Sequence, residues 1–121
     1  MPDYRIERWR EVFLPNMATL RYKLTAEGFN LSQWTDQPGA AYGWRKFPFE
    51  RAHWIISGSL RLTIRNVGTF TLDTGDRIYI PVENYYRWEA AGEQPILYII
   101  GEKDAPVEKK KRGRKKKEKN L

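Results

Sequence analysis

Cysteine is absent from the 121 residues, and histidine occurs once, at position 53. The first absence excludes disulfides, iron–sulfur clusters and thiol catalysis. The two together exclude a tetrahedral zinc site of Cys and His, because one imidazole cannot supply the ligands. Long apolar runs are missing as well. The best of them, PILYII at 95–100, falls far short of the roughly 20 residues a membrane-crossing helix needs. The N-terminal stretch MPDYRIERWR is charged throughout and carries no apolar core of signal-peptide length. The expectation is a soluble, cytoplasmic protein with one folded domain.

Net charge is also absent from most of the chain. From Met1 to Val107, 13 Lys/Arg stand against 13 Asp/Glu, whereas Glu108 to Leu121 holds nine against two and so accounts for the whole net charge of +7. The charge belongs to an appendage, and the pI is no reason to read the domain itself as nucleic-acid-binding. Residues 104–121 have almost no apolar side chains and are expected to be disordered. Within them Lys109, Lys110, Lys111, Arg112, Arg114, Lys115, Lys116, Lys117 and Lys119 place nine cations in eleven residues. Such a run binds polyanions non-specifically by counterion release. Arg112-Gly113-Arg114 resembles the core of an AT-hook, with Lys115 where the hook has proline. The run reads equally as a nuclear import signal, an RNA or anionic-membrane contact, or a solubilising extension. A nuclear or nucleoid-associated location follows if it targets the protein or binds DNA.

Short alternating segments fill the rest. TLRYKL at 19–24 sets Leu20, Tyr22 and Leu24 against Arg21 and Lys23, which predicts a half-buried strand paired with FNLSQW at 29–34. Further strands are predicted in AHWIIS, LRLTI, TFTL, RIYI, YYRW and PILYII, separated by Gly, Asn and Asp turns. Turn signals every 8 to 12 residues describe an all-β sandwich or barrel. A single short helix is predicted, near 6–12.

ISGSLRLTI, with Gly58, and TGDRIYIPVENYYRW, with Gly75, Asp76 and Pro81, carry the frames of two ordered motifs. Over Trp34 to Lys103 the chain thereby resembles the cupins, small double-sheet β-barrels of jelly-roll type. The resemblance implies a barrel over residues 4–103 and a homodimer, with the apolar segment PILYIIG as a contact edge. It also fixes where metal ligands belong. Counting from the two frames puts them at Trp44, Lys46, Arg51 and Tyr86, with Glu83 in place of a customary glycine. None of the four is a ligand of the family's kind. Two cations among them repel a divalent ion in any low-dielectric cavity, so no metal and no other cofactor is expected.

His53 lies two residues past Arg51 and is expected to face the same interior. A hydrogen-bonded core histidine, a proton-transfer group and a ligand-binding group all remain open for it. The inward or mouth-facing set is then Trp44, Lys46, Arg51, His53, Tyr86 and Trp88. Aromatic walls with two cations suit a small anionic ligand, Arg51 as bidentate partner and Lys46 as point charge. Large side chains at these positions suit a filled, ligandless barrel just as well. The leading expectation is a non-catalytic cupin-like domain that binds a small anion or serves as an interaction module. Its rivals are a metal-free isomerase or epimerase using His53 and Tyr86 as acid and base, and a nucleic-acid accessory protein working through its tail.

Overall fold

Alternating apolar positions pair into two facing sheets in the computed structural model, which describes residues 4–103. The basic run lies outside the described residues. The elements are β1 (Arg5–Glu7), α1 (Met17–Ala26), β2 (Phe29–Asp36), β3 (Ala41–Arg45), β4 (Arg51–Ser57), β5 (Ser59–Ile64), β6 (Gly68–Leu72), β7 (Arg77–Ile80), β8 (Tyr86–Ala91) and β9 (Ile96–Lys103). One sheet has the order β1-β7-β4-β9-β2 and the other β3-β8-β5-β6. Between them Ile55, Leu60, Leu62, Leu72, Ile78, Ile96 and Ile100 pack with Tyr86, Trp88 and Tyr98 in one buried core. The architecture is the predicted all-β double-sheet jelly roll.

Two local expectations are corrected. TLRYKL is not a strand but the body of α1. Asn16 caps it, its side-chain oxygen accepting from Thr19 N at 2.8 Å, and Gly28 at φ +98° follows its end. Leu20 and Leu24, four apart, are buried while Tyr22 between them is exposed, as a helix requires and a strand forbids. The predicted helix near 6–12 is instead β1 followed by an irregular segment, with Ile6 opposite Ile78. FNLSQW therefore pairs with β9 rather than with its upstream neighbour. That moves PILYIIG off the sheet edge: β9 lies between β4 and β2 and pairs with both. An internal strand has no free ladder to offer a second copy.

The outer face of the larger sheet is closed by α1, whose Leu20 and Leu24 pack on Phe29, Ala52, Trp54, Ile56 and Ile99. Arg77 is buried beneath this layer. Its guanidinium lies 4.1 Å from the Trp54 ring centroid and 2.7 Å from Glu7 Oε1, and Glu27 stands 3.4 Å away. Burial works against the Glu7 charge, but the Arg77 and Arg5 contacts hold its carboxyl below the usual range. This network ties β1 and the end of α1 to β7. Among the described residues no helix is long and apolar enough to cross a membrane.

Candidate ligand recess at the barrel mouth

Strand parity decides which side chains reach the interior. In β4, Arg51, His53 and Ile55 face inward while Ala52, Trp54 and Ile56 face α1. In β8, Tyr86, Trp88 and Ala90 face inward. His53, wholly buried, shares a 3.1 Å hydrogen bond through Nε2 with the Tyr86 hydroxyl. Its ring stands edge-on to Trp88, 4.9 Å between centroids. Trp88 stacks on Tyr42 at 5.0 Å and on Tyr86 at 5.3 Å. Its indole N–H donates to the Tyr98 hydroxyl at 3.1 Å. The Tyr98 and Tyr42 hydroxyls donate in turn to the two oxygens of Asp36, at 2.7 and 2.8 Å. Burial and then the Asp36 contact raise both phenols above their ordinary range, so they act as donors and stay neutral.

Beside this aromatic block a recess of 250 Å³ opens, lined by Trp34, Tyr42, Arg45, Phe47, Arg51, Trp88 and Glu102. Arg51 is its buried cation. The side chain is only 5% exposed, and its Nε lies 3.6 Å from Glu102 Oε2. That is near enough for Coulomb attraction and too far for a hydrogen bond, so Nε has no hydrogen-bond partner. The guanidinium lies 3.8 Å from the Phe47 ring centroid and 5.5 Å from that of Trp88. A larger hollow of 700 Å³ lies on the outer face of the five-stranded sheet, with Arg5, Glu27, Glu50 and Lys103 among its residues. Its charges are already matched, Lys103 with Glu50, Arg5 with Glu7 and Glu27 with Arg77.

The sequence-predicted set divides. Arg51, His53, Tyr86 and Trp88 come together inside. Trp44 and Lys46 do not join them: Trp44 is 40% exposed beside Arg87 and Arg65, and Lys46 pairs with Glu83 at 3.4 Å. A register shift in the β3–β8 pair is the cause. Tyr42 opposes Trp88 and Arg45 opposes Tyr86, so Gly43 and Trp44 together face the single residue Arg87. Beyond this bulge Arg45 and Phe47 take the inward positions. The first cupin motif allows three or four residues before its Glu/Gln position, and the shorter spacing, counted back from Arg51, lands on Phe47 and Arg45. Trp34, Tyr42 and Glu102 carried no motif signal; only the alternation of β2 and β9 places Trp34 and Glu102 inside.

Burial, with the positive charge of Arg51 added, holds the His53 imidazole well below its ordinary 6.5. Its folded form therefore resists protonation that the unfolded chain accepts. The stabilisation is complete above pH 6.5 and is lost as pH falls below it, at up to about 1.4 kcal/mol per pH unit. His53→Gln removes that titration. Between pH 6.5 and 5 the wild type should lose stability to denaturant faster than the variant does; parallel profiles would place the histidine in solvent.

Neither a family model nor a curated protein matches the sequence. Solved structures do. The chain is similar to the DMSP lyase DddQ of Ruegeria pomeroyi, at 14% identity over 64% of this chain and 39% of that one, TM-score 0.58. A cupin protein of Bacteroides fragilis matches at 24% identity over 64% and 67%, TM-score 0.57. Drosophila melanogaster CENP-C, solved bound to CAL1, matches at 15% over 60% and 62%, TM-score 0.55. The fold is that of the cupins. This chain spans well under half of the lyase, so the likeness describes the barrel and not that protein's whole activity.

Cupins commonly hold a metal, and the residues of this cupin barrel do not fit one. Among the described residues no group of three or more His, Cys, Asp or Glu gathers that could hold a metal ion. The one imidazole has Nε2 committed to Tyr86, burial raises the Tyr86 phenol above its ordinary range, and the Arg51 cation lies 6.0 Å from the Tyr86 ring centroid. A divalent ion there would meet a fixed positive charge, and the carboxylate nearby, Glu102, is already paired with Arg51.

Proposed function

We propose that this cupin barrel binds a small carboxylate-bearing molecule in the recess beside Arg51, without metal and without chemistry on the ligand. One observation carries the reading: a nearly buried guanidinium lines an open recess, with Glu102, 3.6 Å from its Nε, as the carboxylate beside it. Glu102 pairs with it only at 3.6 Å and is itself 44% exposed, and a planar carboxylate matches a guanidinium in charge and in shape more closely. Arg45 adds a second cation, Glu102 sets a limit on total negative charge, and Trp34, Tyr42 and Phe47 supply apolar walls. At 250 Å³ the recess is smaller than the roughly 300–1,000 Å³ of drug-sized pockets, which favours a compact acid.

Acid–base catalysis by His53 and Tyr86 has less support. Both are sealed in the core and neither lines the recess, so a substrate has no place beside them. Solved relatives by fold include a lyase and a protein bound to another protein, so the fold alone selects no activity. The basic run at 109–119 adds a separate, non-specific affinity for polyanions in this reading, and the barrel works in the cytoplasm.

A thermal-shift screen against short mono- and dicarboxylates tests the proposal, since a ligand specific for the folded state raises Tm by mass action. The best acid should lose affinity by about 1.5–3 kcal/mol in Arg51→Met, the scale of a hydrogen bond to a charged group. Equal affinity in the variant would put the ligand elsewhere and sink the assignment.

A further inference from the structure

The bulge that removes Trp44 from the interior delivers it to the outer face of the four-stranded sheet, where it joins a second exposed ring, Tyr85. Cations alternate with these rings. Arg87 lies 5.0 Å from the Trp44 ring centroid, Arg65 lies 5.3 Å from Trp44 and 4.4 Å from Tyr85, and Lys46 lies 5.2 Å from Tyr85. The row runs Arg87, Trp44, Arg65, Tyr85, Lys46, with one guanidinium flanked by two aromatic side chains. The backbone holds it in place: Arg65 N donates to Tyr85 O at 2.9 Å. Next to the row, Thr63 and Thr69 line a hollow of 270 Å³ with Arg61 and Arg87 at its sides.

The charges here are not matched as they are on the opposite sheet. Lys46 pairs with Glu83 and Arg61 with Glu89, but Arg65 and Arg87 make no ion pair among the described residues. A chain that is neutral from Met1 to Val107 thus still presents one face with excess positive charge. Exposed rings interleaved with unneutralised arginines, on β3, β8 and the turns that adjoin them, combine the two components that hold an unpaired strand: stacking surfaces for bases and cations for phosphates. A duplex keeps its base faces to itself and cannot use the rings.

We infer that the outer face of the four-stranded sheet binds single-stranded nucleic acid, bases stacking on Trp44, Tyr85 and the intervening Arg65 plane while Arg87 and Lys46 meet the backbone. This site is separate from the interior recess and from the basic run at 109–119, whose affinity is expected to fall on single strands and duplexes alike. Full-length protein is titrated into fluorescent 12-mers of oligo(dT) and oligo(U), a 12-bp duplex and a 12-residue poly-glutamate, reading anisotropy. Trp44→Ala and Tyr85→Ala should each weaken single-strand binding about tenfold, the scale of a lost base–ring stack, and leave duplex binding and Tm unchanged. Trp44→Phe should restore most of the affinity. A loss confined to one of the two oligomers shows which strand the face prefers and supports the site. Unchanged single-strand affinity in both alanine variants overturns it, as does an equal loss on the duplex. Poly-glutamate affinity that falls as far in Trp44→Ala as single-strand affinity does would make the face a general acid-binding surface and overturn it too.

Discussion

Asp76→Ala should destabilise the barrel by about 3–4 kcal/mol and lower Tm by roughly 15–25 °C, the largest loss expected from any single polar residue. The carboxylate is nearly buried and accepts three hydrogen bonds: from Trp9 N at 3.0 Å, from Asp73 N at 2.9 Å and from Arg8 Nη1 at 2.8 Å. Two of those donors are backbone groups that alanine leaves unsatisfied, and the third is a charge. The site is locked by its neighbour. Gly75 sits at φ +89°, a Cβ there would lie 2.2 Å from Trp9 Cγ, and its carbonyl accepts from Trp54 Nε1 at 2.8 Å. The Gly-Asp pair thus fastens the irregular N-terminal segment to the turn before β7, and the packed indole of Trp9 seals it. Asp76→Asn retains the acceptor for a backbone N–H and gives up the charge, so about half the loss is expected. Chemical denaturation of the three proteins measures both; an alanine variant within 1 kcal/mol of wild type would mean the N-terminal segment is not part of the cooperative unit.

Trp88→Ala should cost about 3–5 kcal/mol, the range for deleting a large buried aromatic. Trp88 sits at the centre of the interior contacts: it stacks on Tyr42 and Tyr86, stands against His53, lies beside the Arg51 guanidinium and donates to Tyr98. Its removal leaves a cavity running from the recess to His53. Trp88→Phe keeps the stacking and loses the hydrogen bond to the Tyr98 hydroxyl, which should cost only about 1–2 kcal/mol. A comparable loss in both variants would assign the stability to the indole N–H rather than to packing. If the alanine variant gains affinity for larger aromatic acids, Trp88 is also what limits ligand size.

The strands from AHWIIS to PILYII were legible because alternation and Gly/Asn/Asp turns both act locally, and the two glycine frames sit where the chain needs positive φ. Gly58 shows the same logic as Gly75: φ is +99°, and a Cβ would lie 3.0 Å from Ile96 Cα. TLRYKL misled because Leu20, Tyr22 and Leu24 satisfy a period of two while Leu20 and Leu24 alone satisfy a helical spacing. Asn16 before the segment and Gly28 after it were the deciding signals, a capping residue and a left-handed terminator. The interior site was half legible. Positions on β4 and β8 follow from simple parity, and Arg51, His53, Tyr86 and Trp88 lie where parity puts them. Trp44 and Lys46 were displaced by one residue because the β3 bulge is a non-local event: it depends on how β3 meets β8, and no short motif encodes it. Trp34 and Glu102 enter the recess through β2–β9 pairing across some 70 residues of chain, which spacing arguments do not reach.

The account rests on one claim, that the barrel holds a carboxylate through Arg51 and needs no metal to do so. Titration calorimetry of the best acid from the screen, with protein dialysed against EDTA, tests it most directly. The account predicts one site per chain with the same affinity before and after chelation, and a large loss of affinity in Arg51→Met. Binding that disappears on chelation and returns with added Fe, Mn, Ni or Zn, at about one ion per chain, would contradict it.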